Sequence, residues 1–366
     1  MSNTQKKNVP ELRFPGFEGE WEEKKLESII KVNSGKEYKH LDKGDIPVYG
    51  TGGYMTSISE PLSEIDAVGI GRKGTINKPY LLEAPFWTVD TLFYCTPKKE
   101  TDILFILSLF RKINWKVYDE STGVPSLSKQ TINKINRFVP TNKEQQKIGK
   151  FFSKLDRQIE LEEQKLELLQ QQKKGYMQKI FSQELRFKDK NGNDYPEWEE
   201  TTIKEIAQIN TGKKDTKDAI TNGSYDFYVR SPIVYKINTF SYEGEAILTV
   251  GDGVGVGKVF HYVNGKFDYH QRVYKISDFK NYYGLLLFYY FSQNFLKETK
   301  KYSAKTSVDS VRKDMVANMK VPRPIYIEQE KIGQFIKKVD NKIKIQKQVI
   351  ELLKQRKKAL LQKMFI

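Results

Sequence analysis

Cysteine and histidine are nearly absent. The chain of 366 residues has one cysteine, Cys95, and three histidines, His40, His261 and His270. One thiol forms no internal disulfide and builds no cysteine cage, and three scattered imidazoles make a structural zinc site an unfavoured reading. Long apolar runs are also lacking. The most hydrophobic stretch, Ile103 to Phe110, is far shorter than the roughly 20 residues a spanning helix needs. No signal-peptide-like apolar segment is present, so the expectation is a cytoplasmic protein without a membrane partner. None of the 13 prolines is followed by a second proline or by aspartate. The first absence removes the Asn/Asp-Pro-Pro-aromatic strip expected of an amino-methyltransferase. The second removes the Pro-Asp and Glu-x-Lys pattern of a common Mg²⁺-dependent nuclease, and Glu23-Lys24-Lys25 reads as a solvated face. Ser/His/Asp hydrolysis needs a placed histidine, and the first half of the chain offers only His40. The expectation is a chain with no catalysis, metal or cofactor of its own.

Acidic residues are outnumbered, 46 against 62 basic ones, for a net charge of +16. Such a balance points to a polyanion, most commonly nucleic acid. Ribosome, RNA or anionic-membrane binding would give the same figure.

What is present is a repeat. Glu144 to Phe181 and Glu328 to Phe365 align without a gap at an offset of 184, with 19 of 38 positions identical. Apolar residues recur at alternating steps of four and three: Ile148, Phe152, Leu155, Ile159, Leu166, Leu169, Tyr176 and Ile180 in the first copy. The second gives Ile332, Ile336, Val339, Ile343, Ile350, Leu353, Leu360 and Met364. This is the heptad seam of a helix that buries one stripe against another helix. Both copies interrupt it at matching places, Glu162 and Lys173 in one, Gln346 and Lys357 in the other. Matching defects favour pairing of the two copies with each other; two tails meeting different partners is the alternative. For an antiparallel pair, positions summing to 519 set Glu162 against Lys357 and Lys173 against Gln346, so that polar layers meet polar layers. A register summing to 512 overlaps more fully but sets Lys173 against Val339 and Lys357 against Leu155.

The repeat extends beyond the helices. Glu11-Leu-Arg-Phe14 recurs as Glu184-Leu-Arg-Phe187, Trp21 as Trp198, and Asn33-Ser-Gly35-Lys36 as Asn210-Thr-Gly212-Lys213. The chain is two tandem units, 11–181 and 184–365, each a globular part followed by a long helix. In the globular parts, short strands alternate with turns. Candidate strands cover Asp45 to Tyr49, Ala67 to Ile70, Phe86 to Tyr94, Ala246 to Val250 and Phe267 to Ile276. Helices are expected over Asp102 to Lys112 and Tyr283 to Phe295, and polar loops over Ser121 to Ser128 and Ser303 to Ser310. Gly251 to Lys258 invites a phosphate-loop reading and fails it. Asp252 stands five residues before Gly257, and Val259 replaces the Ser or Thr that would hold magnesium. A tight turn with close backbone approach is the better reading.

The remaining chemistry is basic and amide-bearing side chains on these loops: Lys36, Thr51, Arg72, Lys73, Thr75 and Lys78 in the first unit. The second offers Lys213, Lys214, Arg230, Lys258, His270, Gln271, Arg272 and Lys305. Arginine and lysine bond guanine O6 and N7, glutamine bonds adenine N6 and N7, and lysine neutralises phosphate. As a set on matching loops, they make DNA-reading candidates.

Phe14-Pro-Gly-Phe17 with Trp21, Glu144-Gln-Gln-Lys-Ile148, Glu328-Gln-Glu-Lys-Ile332 and the Lys-Lys…Gln-Lys-x-Phe helix ends, in this order and duplicated, resemble the specificity subunits of type I restriction–modification enzymes. The resemblance covers nearly the whole chain. It departs where Lys188 to Asp194 replaces the first opening's Pro-Gly-Phe, so packing around Trp198 is expected to differ. It implies an α+β fold with two target-recognition domains of mixed structure, each followed by a long helix. The helices would pair as an antiparallel coiled coil with pseudo-two-fold symmetry. The divisions are 1–143 (with 1–10 expected to be disordered), 144–183, 184–327 and 328–366. The implied function is non-catalytic: each domain reads half of a split, asymmetric site in double-stranded DNA. The helices, with Leu155, Ile159, Glu162, Leu166, Leu169, Lys173, Val339, Ile343, Gln346, Ile350, Leu353 and Lys357 on the seam, set the spacing. Two modification subunits would dock and methylate adenine with S-adenosylmethionine, and a restriction subunit using ATP and Mg²⁺ could join. A two-repeat nucleic-acid-binding or scaffold protein without such partners, and an autonomous nuclease or methyltransferase, are the alternatives.

Overall fold

The computed structural model of the chain describes residues 8–301 and 310–366, which divide into two compact units. Of these, the first comprises residues 8–165 and 346–366, the second residues 166–301 and 310–345. This division departs from the linear one because each unit takes in the far end of the other unit's long helix.

In the first unit, β1 (Glu22–Lys25), α1 (Leu26–Ile29) and β2 (Ile30–Ser34) lead to β3 (Lys43–Gly50), β4 (Gly53–Ile58), β5 (Ala67–Gly71), β6 (Tyr80–Leu82), β7 (Trp87–Thr88) and β8 (Leu92–Pro97). Then come α2 (Ile103–Lys112), α3 (Lys129–Lys134), β9 (Asn136–Val139) and the long α4 (Asn142–Phe181). The sheets run β2-β8-β5-β6, β4-β3-β7 and β1-β9. α2 follows the apolar pattern of Ile103 to Phe110, is capped by Asp102 accepting from the Phe105 amide, and buries Phe105, Ile106 and Phe110 completely. Residues 8–10 are ordered, against expectation: the Asn8 carbonyl accepts from the Trp21 amide at 2.8 Å and Pro10 is buried.

The second unit repeats the order with β10 (Glu199–Thr202), α5 (Ile203–Ile206), β11 (Gln208–Thr211), β12 (Tyr225–Tyr228), β13 (Val234–Ile237), β14 (Tyr242–Val250), β15 (Phe260–Tyr269) and β16 (Val273–Ser277). α6 (Gly284–Lys300), α7 (Lys313–Ala317), β17 (Lys320–Arg323) and the long α8 (Tyr326–Met364) follow. Six strands form one sheet, β11-β16-β14-β15-β12-β13. In the first unit the strand corresponding to β15 is split into β6 and β7 by Pro85, which has no N–H to give to a ladder. The sequence expectation of unbroken strands over Phe86 to Tyr94 and Phe267 to Ile276 is corrected. Both reverse at a three-residue turn, Val89 to Thr91 and His270 to Arg272.

The shared Pro…Glu-Gln motif fixes the foot of each long helix. Glu144, buried, accepts from Arg13 Nε and Nη2 at 2.8 and 2.7 Å. Gln145 donates to the Pro140 carbonyl and accepts from the Asp102 amide at the start of α2. In the second unit Glu328 accepts from Arg186 at 3.2 and 2.9 Å, and Gln329 joins the Pro324 carbonyl to the Tyr283 amide at the start of α6. Packing around the two tryptophans differs, as the departure at Lys188 to Asp194 suggested. Trp198 donates to Glu328 at 2.9 Å, whereas Trp21 lies edge-on to Phe105 and Phe365. The Leu12 amide donates to the Lys363 carbonyl, as the Leu185 amide does to Lys179, so the first unit's opening rests on the end of α8.

Within each unit, α4 and α8 run antiparallel, in a register that corrects the one summing to 519. In the first unit Gln346 Nε2 donates to Glu162 Oε2 at 2.6 Å, and Lys357 pairs with Asp156. In the second, Lys173 pairs with Asp340 at 2.6 Å. The Lys357–Asp156 and Lys173–Asp340 pairs each sum to 513, Glu162–Gln346 to 508 and Glu163–Lys354 to 517, values that centre near the fuller-overlap alternative of 512. The polar-with-polar rule held for Glu162, which meets Gln346, and failed for the two lysines, because their partner aspartates lie just off the seam. Each lysine lays its stem over an apolar layer and carries its ammonium sideways to a carboxylate. The stripe also steps by one residue near the helix ends, where Met177 and Leu361 are buried and Tyr176 is 39% exposed.

Two predictions follow from this packing. A methyl group at Gly149 would lie 2.7 Å from the Phe105 amide nitrogen and 2.8 Å from Leu104 Cβ, whereas Gly175 has nothing within 4 Å. Gly175→Ala should therefore raise stability by about 1 kcal/mol through helix propensity, and Gly149→Ala should lower it, both read from denaturant midpoints. The Gln346 amide holds the Glu162 carboxyl below its ordinary value of 4.5, a contribution present above that pH and lost as pH falls below it. In Gln346→Glu two carboxylates would share the layer and raise each other's pKa, so the destabilisation should be largest at neutral pH and shrink on acidification. Melting temperature against pH checks this.

Candidate nucleic-acid interface

A hollow of about 380 Å³ opens on the first globular part. Ser34 at the end of β2, Arg72 and Lys73 after β5, Phe93 in β8, and Ser126 to Lys129 at the entry to α3 line it. Backbone bonds fix the layout: the Arg72 amide donates to the Thr91 carbonyl (2.8 Å) and the Leu127 amide to the Arg72 carbonyl (2.9 Å). The Arg72 guanidinium lies 5.9 Å from the Phe93 ring centroid and donates to the Asp90 carbonyl at 3.4 Å. The polar loop from Ser121 to Ser128 is shaped by Asp119, which accepts from the Ser126 and Ser121 amides, and by Glu120, which accepts from the Thr131 and Ser128 hydroxyls. These bonds hold both carboxyls below the usual range. Arg72, Lys73 and Lys129 are exposed, and no carboxylate lines the hollow.

The second globular part builds the same hollow, about 410 Å³, from Thr211, Gly251, Asp252, Gln271, Arg272, Tyr274 and Ser310 to Lys313. The stitches recur: the Gly251 amide donates to the Arg272 carbonyl at 2.8 Å, and the Val311 amide to the Gly251 carbonyl at 2.7 Å. Ser34 pairs with Phe93 across β2 and β8, just as Thr211 pairs with Tyr274 across β11 and β16. By these bonds Arg72 corresponds to Gly251, Lys73 to Asp252, and Thr91 to Arg272. The chemistry on the frame has changed. Asp252 takes Arg230 at 3.3 Å and Arg272 at 3.5 Å, one carboxylate between two guanidiniums, where in the first unit Arg72, Lys73 and Lys129 form no ion pair among the described residues.

The sequence candidates divide accordingly. Arg72 and Lys73 meet in one hollow, Gln271 and Arg272 in the other, with Arg230 tied to the second through Asp252. His270 is corrected from a surface contact to a buried support: it is 2% exposed, and its Nδ1 accepts from the Arg272 amide at 2.9 Å. Asp215, 3.6 Å from its Nε2, also accepts from the Gln271 amide group at 3.0 Å, so this carboxylate and His270 together set the turn that presents Gln271 and Arg272. Lys36, Lys78, Lys213 and Lys258 are exposed, and Thr51, Thr75 and Lys214 are half-buried; none lines a hollow. Lys305, with most of the Ser303 to Ser310 loop, lies outside the described residues. In the turn from Gly251 to Gly257, the close approach is to the unit itself: a methyl at Gly255 would meet the Arg230 carbonyl at 3.0 Å, and one at Gly257 the Leu296 side chain at 2.6 Å.

Lys129, Arg312 and Lys313 were not singled out from the sequence. Their signal was available, since Ser126-x-x-Lys129 and Ser310-x-x-Lys313 repeat at the offset of 184 that aligns the helices. Among the described residues no cluster of His, Cys, Asp or Glu is placed to hold a metal ion, and no helix is long and apolar enough to cross a membrane.

The type I restriction modification DNA specificity domain family matches this chain twice, over residues 18–171 and 195–355. The chain belongs to that family. Among its relatives, the type I restriction enzyme MjaVIII specificity subunit of Methanocaldococcus jannaschii is 25% identical over 355 residues, 82% of this chain and 75% of the relative. The Escherichia coli type I restriction enzyme EcoDI specificity subunit is 25% identical over 169 residues, 45% of this chain and 37% of the relative. The fold is that of the type I restriction–modification S subunit from M. genitalium, whose crystal structure matches with a TM-score of 0.71 at 15% identity, over 98% of this chain and 99% of that one. In this specificity-domain chain, then, the two hollows are the same feature of two family domains.

Burial, and then the charge of Arg230, push the His270 imidazole below its ordinary value of 6.5. A depressed folded-state pKa gives stability that is present above pH 6.5 and lost as pH falls below it. His270→Asn should make the acid-side fall in melting temperature shallower. His261, also pushed down by burial, and the carboxyls held low by hydrogen bonds, such as Glu162 and Asp119, should retain the remainder.

Proposed function

We propose that this specificity-domain chain is the DNA sequence-recognition subunit of a type I restriction–modification complex. In this reading residues 1–143 and 184–327 each recognise one half of a split, asymmetric site, and the helices at 144–183 and 328–366 set the spacing and dock two modification subunits. The chain itself is non-catalytic. Adenine methylation with S-adenosylmethionine belongs to the modification subunits, and ATP- and Mg²⁺-dependent cleavage to a restriction subunit.

The observation that carries the reading is the duplicated hollow: one backbone frame, held by the same hydrogen bonds, with Arg72 and Lys73 on one copy and Gly251 and Asp252 on the other. A constant frame with exchanged side chains suits two domains that read different bases. In the first, Arg72 offers a guanidinium fork for guanine, while Lys73 and Lys129 meet phosphates; in the second, Gln271 offers the bidentate amide that suits adenine.

The test is methylation mapping with the modification subunits present. Arg72→Ala should relax or weaken one half-site and Arg272→Ala the other, each by about 1–3 kcal/mol, with assembly intact. Unchanged sites at unchanged rates in both variants would remove these residues from recognition. Salt-dependent binding to random duplex with no preferred site would replace the reading with that of a general nucleic-acid scaffold.

A further inference from the structure

Among the described residues, one face of the first unit lacks a cover that its counterpart in the second unit possesses. A groove of about 530 Å³ runs along the start of α4, floored by Phe14, Phe17 and Phe151 and rimmed by Lys147, Lys150 and Lys154. The rings are half-buried and the lysines exposed. Among the described residues none of these three lysines forms an ion pair, and Lys147 lies 5.7 Å from the Phe14 ring centroid.

In the second unit Phe187 and Phe335 stand where Phe14 and Phe151 do, with the same edge-on contact, 5.6 Å against 5.4 Å. There the chain closes the place itself. The segment from Lys188 to Asp194 folds as a small turn, with Asp189 accepting from the Asn191 and Asn193 amides. Lys331, in the position of Lys147, donates to the Lys188 carbonyl at 2.7 Å and lies 5.2 Å from the Tyr195 ring centroid. Gln334 replaces Lys150, so the covered version carries less charge. The first unit has only Pro15 and Gly16 between Phe14 and Phe17, too short a connection to make such a turn.

We propose that this groove is the docking site for an acidic segment of a partner protein that carries an aromatic or aliphatic side chain, bound once per chain. The lysines supply the complement for carboxylates, and the three rings supply an apolar seat; in the second unit the turn at Lys188 to Asp194 is tied instead to Lys331, the counterpart of Lys147. Phosphates of nucleic acid would satisfy the lysines and leave the rings unmatched. The site goes beyond DNA reading and is independent of the hollows.

The probe is a fluorescein-labelled twelve-residue peptide of glutamate and aspartate around one tryptophan and one leucine, titrated with the full chain by anisotropy. One peptide should bind per chain, and a version with serine in place of both apolar residues should bind at least tenfold more weakly. Lys147→Glu with Lys150→Glu should weaken binding at least tenfold, and Phe17→Ser should weaken it with every charge in place; the melting temperature of each variant checks that it is folded. No binding, equal binding of both peptides, two peptides per chain, or folded variants that bind as the parent does would each overturn the proposal. So would charge-reversal variants that lose affinity for a random DNA duplex while keeping the peptide, because the lysines would then serve phosphate.

Discussion

The structure depends on one buried ion pair made twice. Glu144 with Arg13, and Glu328 with Arg186, place a carboxylate of at most 1% exposure against a guanidinium. Removing one partner of such a pair leaves a buried charge uncompensated, a loss of about 3–5 kcal/mol, although the intact pair adds little by itself. Its value is in what it joins. The arginine comes from the opening Glu-Leu-Arg-Phe segment and the glutamate from the first turn of a long helix. The neighbouring Gln145 or Gln329 ties in the closing proline loop and the start of α2 or α6. Three segments distant in sequence meet within two side chains, which is why the motif survives in both copies while the loops between have changed.

From that foot the helix directions are fixed, and the seam follows. Each unit buries the near end of its own long helix against the far end of the other. Its seam lysine is matched by an aspartate one residue off the stripe, Asp156 for Lys357 and Asp340 for Lys173. Arg111 from α2 joins Asp156, and Tyr289 from α6 donates to Asp340, so the same carboxylates bind the globular parts to the helices. Burial pushes the Lys357 ammonium below its ordinary value. The side chain is thus a desolvated charge beside a carboxylate that it shares with Arg111, able to specify register in a way that an apolar layer cannot.

What the sequence disclosed depended on whether backbone or side chains carried the constraint. The duplication, the two long helices and their antiparallel pairing were legible because they rest on periodic burial and on identities that packing enforces. Gly35 and Gly212 aligned for a physical reason: a methyl there would lie 2.0 Å from the Val89 carbonyl oxygen in one unit and 1.8 Å from that of Tyr269 in the other. The register was not legible, since Asp156 and Asp340 lie off the stripe from which it was argued. Nor was the burial of His270, because a histidine inside a polar turn reads like any exposed one until Asp215 and the Arg272 amide are placed around it.

The hollows show why recognition chemistry was the hardest part to read. Their walls come from four stretches, the end of one strand, the turn after another, the start of a third and the entry to a short helix, which no window of sequence brings together. Corresponding positions hold opposite chemistry: Lys73 answers to Asp252, and the cation missing there returns as Arg272 where the first unit has Thr91. Gly251 answers to Arg72 because the second unit places Tyr274 so close that a methyl at Gly251 would meet its ring at 2.9 Å. An arginine cannot be restored at that point without moving the tyrosine, which itself donates to the Val311 carbonyl at 3.0 Å. The exchange of one contact residue is therefore coupled to the residues behind it, and the two hollows differ as sets, not position by position.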